Sequence, residues 1–105
     1  MALPTGAKEL YRSRPQETGL DEIAMIVVFE IPKAGIASGA DGWVGVGGTL
    51  PVEGDALSAF VTGSPAYSWS KYVEPTVEKV EVDPRYRVGF ALVKVTLKGS
   101  RVWVN

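Results

Sequence analysis

Val77-Glu78-Lys79-Val80-Glu81-Val82, Asp83-Pro84-Arg85-Tyr86-Arg87, Val88-Gly89-Phe90-Ala91-Leu92-Val93-Lys94-Val95-Thr96-Leu97, Lys98-Gly99-Ser100 and Arg101-Val102-Trp103-Val104-Asn105 are the segments into which the end of this chain divides. β-Branched and aromatic residues fill the stretch and turn formers punctuate it. The pattern predicts three antiparallel strands with two short connections. Val80 and Val82 alternate with Glu81, so one face is apolar and the other charged. Asp83-Pro84 suits the opening of a type I turn, because proline pre-sets φ and the aspartate accepts from backbone donors beyond it. In the next strand Phe90 and Leu92 share one face, and Val93, Val95 and Leu97 share the other. Two apolar faces imply burial on both sides or a bulge near Leu92 that shifts the phase. Lys94 and Thr96 continue the phase of Phe90 and Leu92, which makes the phase shift the simpler expectation. Lys98-Gly99-Ser100 reads as the second connection. The final strand, ending at Val104, is expected to pair within the sheet or with another subunit.

Working back from this anchor, Ala24 to Ile31 is apolar on both faces and β-branched at 26 to 28. It belongs in the middle of a sheet or between two layers, and Pro32 ends it. Residues 33–54 carry Gly35, Gly39, Gly42, Gly45, Gly47, Gly48 and Gly54. They read as a long glycine-rich loop, with Trp43-Val44 and Thr49-Leu50 as short strand pieces. Asp55 to Thr62 suits either one capped helical turn, with Leu57, Phe60 and Val61 on one side, or another strand. Residues 1–20 read as an N-terminal arm: Pro4 and Pro15 interrupt regular structure, and Ala7 to Ser13 has room for one or two helical turns. Residues 21–105 form the single β domain expected of a chain of 105 residues.

Composition removes several classes of function. The chain has neither cysteine nor histidine. Disulfides, thiolate metal sites, the usual metal-ligating imidazole and the commonest general base are all lost together. Ser64 and Ser68 have no histidine to activate them, so a serine hydrolase is set aside. The glycines from Gly42 to Gly48 match the spacing of a phosphate-binding loop, but Gly48 stands where the lysine must be. Asp41, Glu53 and Asp55 are oxygen ligands beside glycines, yet their spacing matches no calcium loop. We therefore expect no enzyme, no catalytic residue, no bound cofactor and no metal. No apolar run is long enough to span a bilayer, and no basic, apolar leader opens the chain.

The net charge of −1 conceals an asymmetry. Residues 1–20 hold three basic and two acidic side chains, residues 21–70 one and six, and residues 71–105 seven and four. An acidic middle and a basic end favour head-to-tail attraction between copies. Nucleic acid is disfavoured as a partner: only Lys71 interleaves with the aromatics Tyr67, Trp69 and Tyr72, although Arg85, Arg87 and Arg101 are expected to form a local basic patch.

The fold expectation is a mainly β domain, either a small antiparallel barrel or a two-layer sandwich, with an extended arm and a long glycine-rich loop. The functional expectation is a structural or assembly protein, a homo-oligomer or a partner of other structural proteins. Small β domains with arms that reach neighbours build the capsids, decorations, connectors and tails of virus and phage particles. That comparison is one of architecture. The expected location is the virion if the chain is viral, and otherwise the cytoplasm. Candidate interface residues are Leu3, Leu10, Tyr11, Arg12, Arg14, Trp43, Tyr67, Trp69, Tyr72 and Trp103. The competing expectation is a monomeric binding module that presents Tyr67, Trp69 and Tyr72 as an aromatic platform to a glycan or peptide.

Overall fold

The computed structural model describes residues 6–40, 42–61, 69 and 71–103. Among these, seven strands carry the fold: β1 (Lys8–Arg12), β2 (Gln16–Gly19), β3 (Glu22–Pro32), β4 (Ile36–Gly39), β5 (Gly42–Gly45), β6 (Thr76–Arg87) and β7 (Phe90–Ser100). All pairings are antiparallel. The main sheet runs β1-β3-β7-β6, with β2 also on β3, and β4-β5 form a separate two-stranded sheet. The protein is mainly β, as expected, and the sheet does not close into a barrel.

Strict alternation explains the core. β3 turns Ile23, Met25, Val27, Phe29 and Ile31 to one face, and β7 turns Ala91, Val93, Val95 and Leu97 to the same face; all are buried. The two strands pair over their whole length, from Glu22 with Ser100 to Pro32 with Phe90, without a register shift. The phase shift expected near Leu92 is therefore absent. Phe90 and Leu92 simply lie on the opposite, outer face and are half-buried there. Ile36, Leu57, Phe60 and Val61 cover the inner face, with Leu50 and Trp69 packed against them.

Three of the expected elements are built differently. Asp83-Pro84 does not turn the chain; it lies inside β6 where the register slips between Asp83 and Arg87. β6 is an edge strand, so proline's missing N–H breaks no ladder bond that a neighbour needs. The Asp83 carboxylate still accepts from the Arg85 amide at 2.9 Å, the local bond the sequence promised. The turn falls instead at Val88-Gly89, where Gly89 has φ of +81°. Lys98-Gly99-Ser100 is likewise no connection but the end of β7. Of the expected final strand, the described residues 101–103 make one bridge, between Arg101 and Tyr72, and Val104 lies outside the described residues.

The described part of the N-terminal arm is not a helical turn reaching outward. β1 and β2 form one interrupted edge strand along β3. Pro15 offers no N–H, and Ser13 holds the break: its amide donates to the Ile26 carbonyl at 2.9 Å and its hydroxyl accepts from the Ile26 amide at 2.8 Å. The glycine-rich stretch is also more ordered in pattern than a loop. It contains a 3₁₀ turn at Lys33–Gly35 and the β4-β5 pair, whereas Thr49-Leu50 is not strand. The helical turn expected from Asp55 is a single 3₁₀ turn, Leu57–Ala59.

Candidate functional site

The features that stand out are the margins of the main sheet. On one side, residues 54–57 pair with the start of β6: Gly54 N–H bonds the Val77 carbonyl at 2.9 Å, Val77 N–H bonds the Asp55 carbonyl at 2.8 Å, and Leu57 N–H bonds the Pro75 carbonyl at 3.0 Å. Beyond Val77, no described segment pairs with the outer side of β6. Lys79 to Asp83 thus forms a five-residue open edge between two register shifts. Beside it lies a cleft of about 270 Å³ lined mainly by Trp43, Val44, Leu50, Pro51, Val52 and Val80. Trp43, Val44 and Val52 are exposed although apolar.

On the other side, the β1 edge is equally open among the described residues. It presents Leu10 and Tyr11, both exposed, with a bulge between Glu9 and Tyr11. Arg12 folds back onto Glu9 at 2.8 Å, within its own strand. Arg14 is exposed. Lys8 to Arg14 carries three basic groups and one acidic; Glu78 to Asp83 carries three acidic and one basic. Such edge charges ordinarily discourage unwanted strand addition.

One end of the sheet is closed by a short crossing. Val73 N–H bonds the Ser100 carbonyl at 2.8 Å and Val102 N–H bonds the Lys71 carbonyl at 2.9 Å. The Tyr72 hydroxyl donates to the Glu17 carboxylate. That bond holds the phenol's pKa above its ordinary value. Trp69 packs against the core. Trp103 stays 66% exposed, with the Arg101 guanidinium 4.8 Å above its ring. Trp69 and Tyr72 are both half-buried, the first against the core and the second bonded to Glu17. Tyr67 and Leu3 lie outside the described residues.

The opposite end carries the pair that sequence reading missed. Glu30 is buried on the outer face, and Arg87 reaches it with two bonds of 3.0 Å. The guanidinium also lies 3.8 Å over the Phe90 ring. The Arg87 bond lowers the Glu30 carboxyl pKa, and Lys8 adds a smaller pull in the same direction. The expected basic patch does not form: Arg87 and Arg101 stand at opposite ends of β7. Glu30 has a depressed pKa in the fold, so its contribution is present above the unfolded value near 4.5 and is lost as pH falls through the folded value. Glu30→Gln should lower Tm at neutral pH, and the gap to the parent should narrow below about pH 4.5. Melting curves of both chains from pH 7 to pH 3 test this; a gap independent of pH contradicts it.

No group of three or more Asp and Glu side chains is poised to hold a metal ion among the described residues. No described helix is long and apolar enough to cross a membrane. Set against family models, curated proteins and solved structures, the chain matches none of them.

Proposed function

We propose that this chain is a structural subunit, not an enzyme, and that it self-associates through the margins of its main sheet. The particle we have in view is one built from many small β subunits, as virus shells and tails are. The observation that carries the reading is the open sheet: both outermost strands have unpaired edges among the described residues, and each edge has exposed apolar groups beside it, Leu10 and Tyr11 on one side, Trp43 and Val52 on the other. Unpaired backbone flanked by apolar surface is a template for another strand. The absence of histidine and cysteine supports a structural role over catalysis.

Light scattering across protein concentration tests the proposal. Mass should rise with concentration above that of the 11.2 kDa monomer. It should fall as salt is added, because exposed charges at the edges are screened. A monomer at every concentration and low salt overturns the proposal. If that monomer retained a peptide or glycan, and Trp43→Ala abolished the binding, the cleft would be a ligand site instead.

A further inference from the structure

We infer that copies of this chain join head to tail, the β1 edge of one copy adding as an antiparallel strand to the β6 edge of the next. The inference rests on the self-association proposed above and names its contact.

Strand direction supplies the first argument. β1, β3, β7 and β6 alternate in direction across the sheet, so β6 runs opposite to β1. A second copy set alongside in the same orientation brings its β1 antiparallel to the first copy's β6. The alternation then continues through the junction. Length agrees as well, since β1 has five residues and the open stretch Lys79 to Asp83 has five.

Charge supplies the second. The β1 side is net basic through Lys8, Arg12 and Arg14, and the β6 side is net acidic through Glu78, Glu81 and Asp83. Two-fold pairing of β1 with β1 about Leu10 would set Lys8 against Arg12, and two-fold pairing of β6 with β6 about Glu81 would set Glu81 against its own copy, with Lys79 opposite Asp83 as the offsetting contact. Head-to-tail pairing sets opposite charges together. The register places them: Lys8 pairs with Glu30, Glu30 with Leu92, and Leu92 with Asp83, so all four share one row on the outer face. A copy stacked at the same height lays Lys8 beside Asp83. On the adjacent row Tyr11 pairs with Val28, Val28 with Lys94, and Lys94 with Glu81, which brings Tyr11 beside Glu81. On the inner face Arg12 comes beside Val80, at the Trp43 cleft. Such a contact is heterologous and ends in a ring or a filament according to its twist.

The chain has no cysteine, so an introduced pair reports this contact alone. Carrying Tyr11→Cys and Glu81→Cys together, the chain should give a ladder of disulfide-linked oligomers on mild oxidation. Neither single variant should cross-link. In parallel, Lys8→Asp or Asp83→Lys alone should raise the concentration needed for association about tenfold, and the two combined in one chain should restore it. Far-UV circular dichroism checks that each variant folds. If Asp83→Lys does not fold, the cysteine pair decides. Dimers from either single-cysteine variant would show two-fold pairing and overturn the inference. So would an associating parent whose double variant gives no ladder, which leaves self-association standing. A parent that never associates removes both.

Discussion

Phe29→Ala should cost about 3–5 kcal/mol of stability, enough to take most of the margin from a domain of this size. Phe29 is fully buried in the middle of β3, between Glu9 on β1 and Val93 on β7 in register. It belongs to the single cluster formed with Val27, Ile31, Val93 and Val95. The core lies on one face of the sheet and is closed by short segments, so little rigid structure is available to collapse into the space left behind. At about 4–8 °C per kcal/mol for a domain near this length, Tm should fall by more than about 12 °C. Phe90→Ala is the informative comparison. Pattern alone would assign Phe90 to the core, but it lies half-buried on the outer face under Arg87. Its loss removes a cation–π contact of about 0.5–1 kcal/mol and a partial burial. Phe90→Ala should therefore cost less than half as much as Phe29→Ala by denaturant unfolding. Equal costs would mean that the outer face is covered and that the one-sided core is wrong.

What could be read from the sequence was the local grammar of strands. Ala24 to Ile31, apolar on both faces, is the interior of β3, flanked by strands on both sides. Val93, Val95 and Leu97 share a buried face, as their spacing required. Where the reading slipped, a tertiary contact had changed what a residue meant. Asp83-Pro84 has turn chemistry, but on an edge strand it makes a bulge instead. Lys98-Gly99-Ser100 has turn composition, but Gly99 is there for proximity. Among the glycines of residues 33–54, Gly47, Gly48 and Gly54 are turn glycines with positive φ, but Gly45 misled in the same way. A Cβ on Gly45 would sit 2.6 Å from the Leu50 amide nitrogen, so that glycine marks close packing and not a loose loop.

The candidate site was legible in part. Leu10, Tyr11, Trp43 and Trp103 are exposed, as an interface would need. The partners of Arg12, Trp69 and Tyr72 are Glu9, the core and Glu17, which local sequence pattern does not reveal. Glu30 and Arg87 are 57 residues apart in the chain and meet only because β6, β7 and β3 are consecutive in the sheet. Nothing in local pattern marks such a pair. The open edge from Lys79 to Asp83 also depends on strand order, which alternation alone does not determine.

Gly99→Ala tests the close approach at the end of β7, and two effects oppose each other there. Glycine in a strand is unfavourable by roughly 0.5–1 kcal/mol relative to alanine, so a chain-entropy argument predicts a gain. Against it, a Cβ on Gly99 would lie 2.6 Å from the Val73 carbonyl oxygen and 3.1 Å from Ile23 Cγ1. The first neighbour is backbone, held by the bond from the Val73 amide to the Ser100 carbonyl, and cannot rotate aside. Overpacking of this kind costs about 1–3 kcal/mol, which exceeds the entropic gain. Gly99→Ala should therefore destabilise the domain, and Gly99→Val more so. Relief requires lifting residues 71–73 from the sheet, which would also loosen the Tyr72–Glu17 bond and the Val102 amide bond to Lys71. Gly19→Ala is the matched control, because nothing lies within 4 Å of the added methyl. It should be neutral or slightly stabilising. The measurement is Tm for both variants, with amide exchange at Val73 and Val102. The expected result is a lower Tm and faster exchange at both amides for Gly99→Ala alone. A Gly99→Ala chain as stable as Gly19→Ala would mean that the 71–73 segment does not rest on β7.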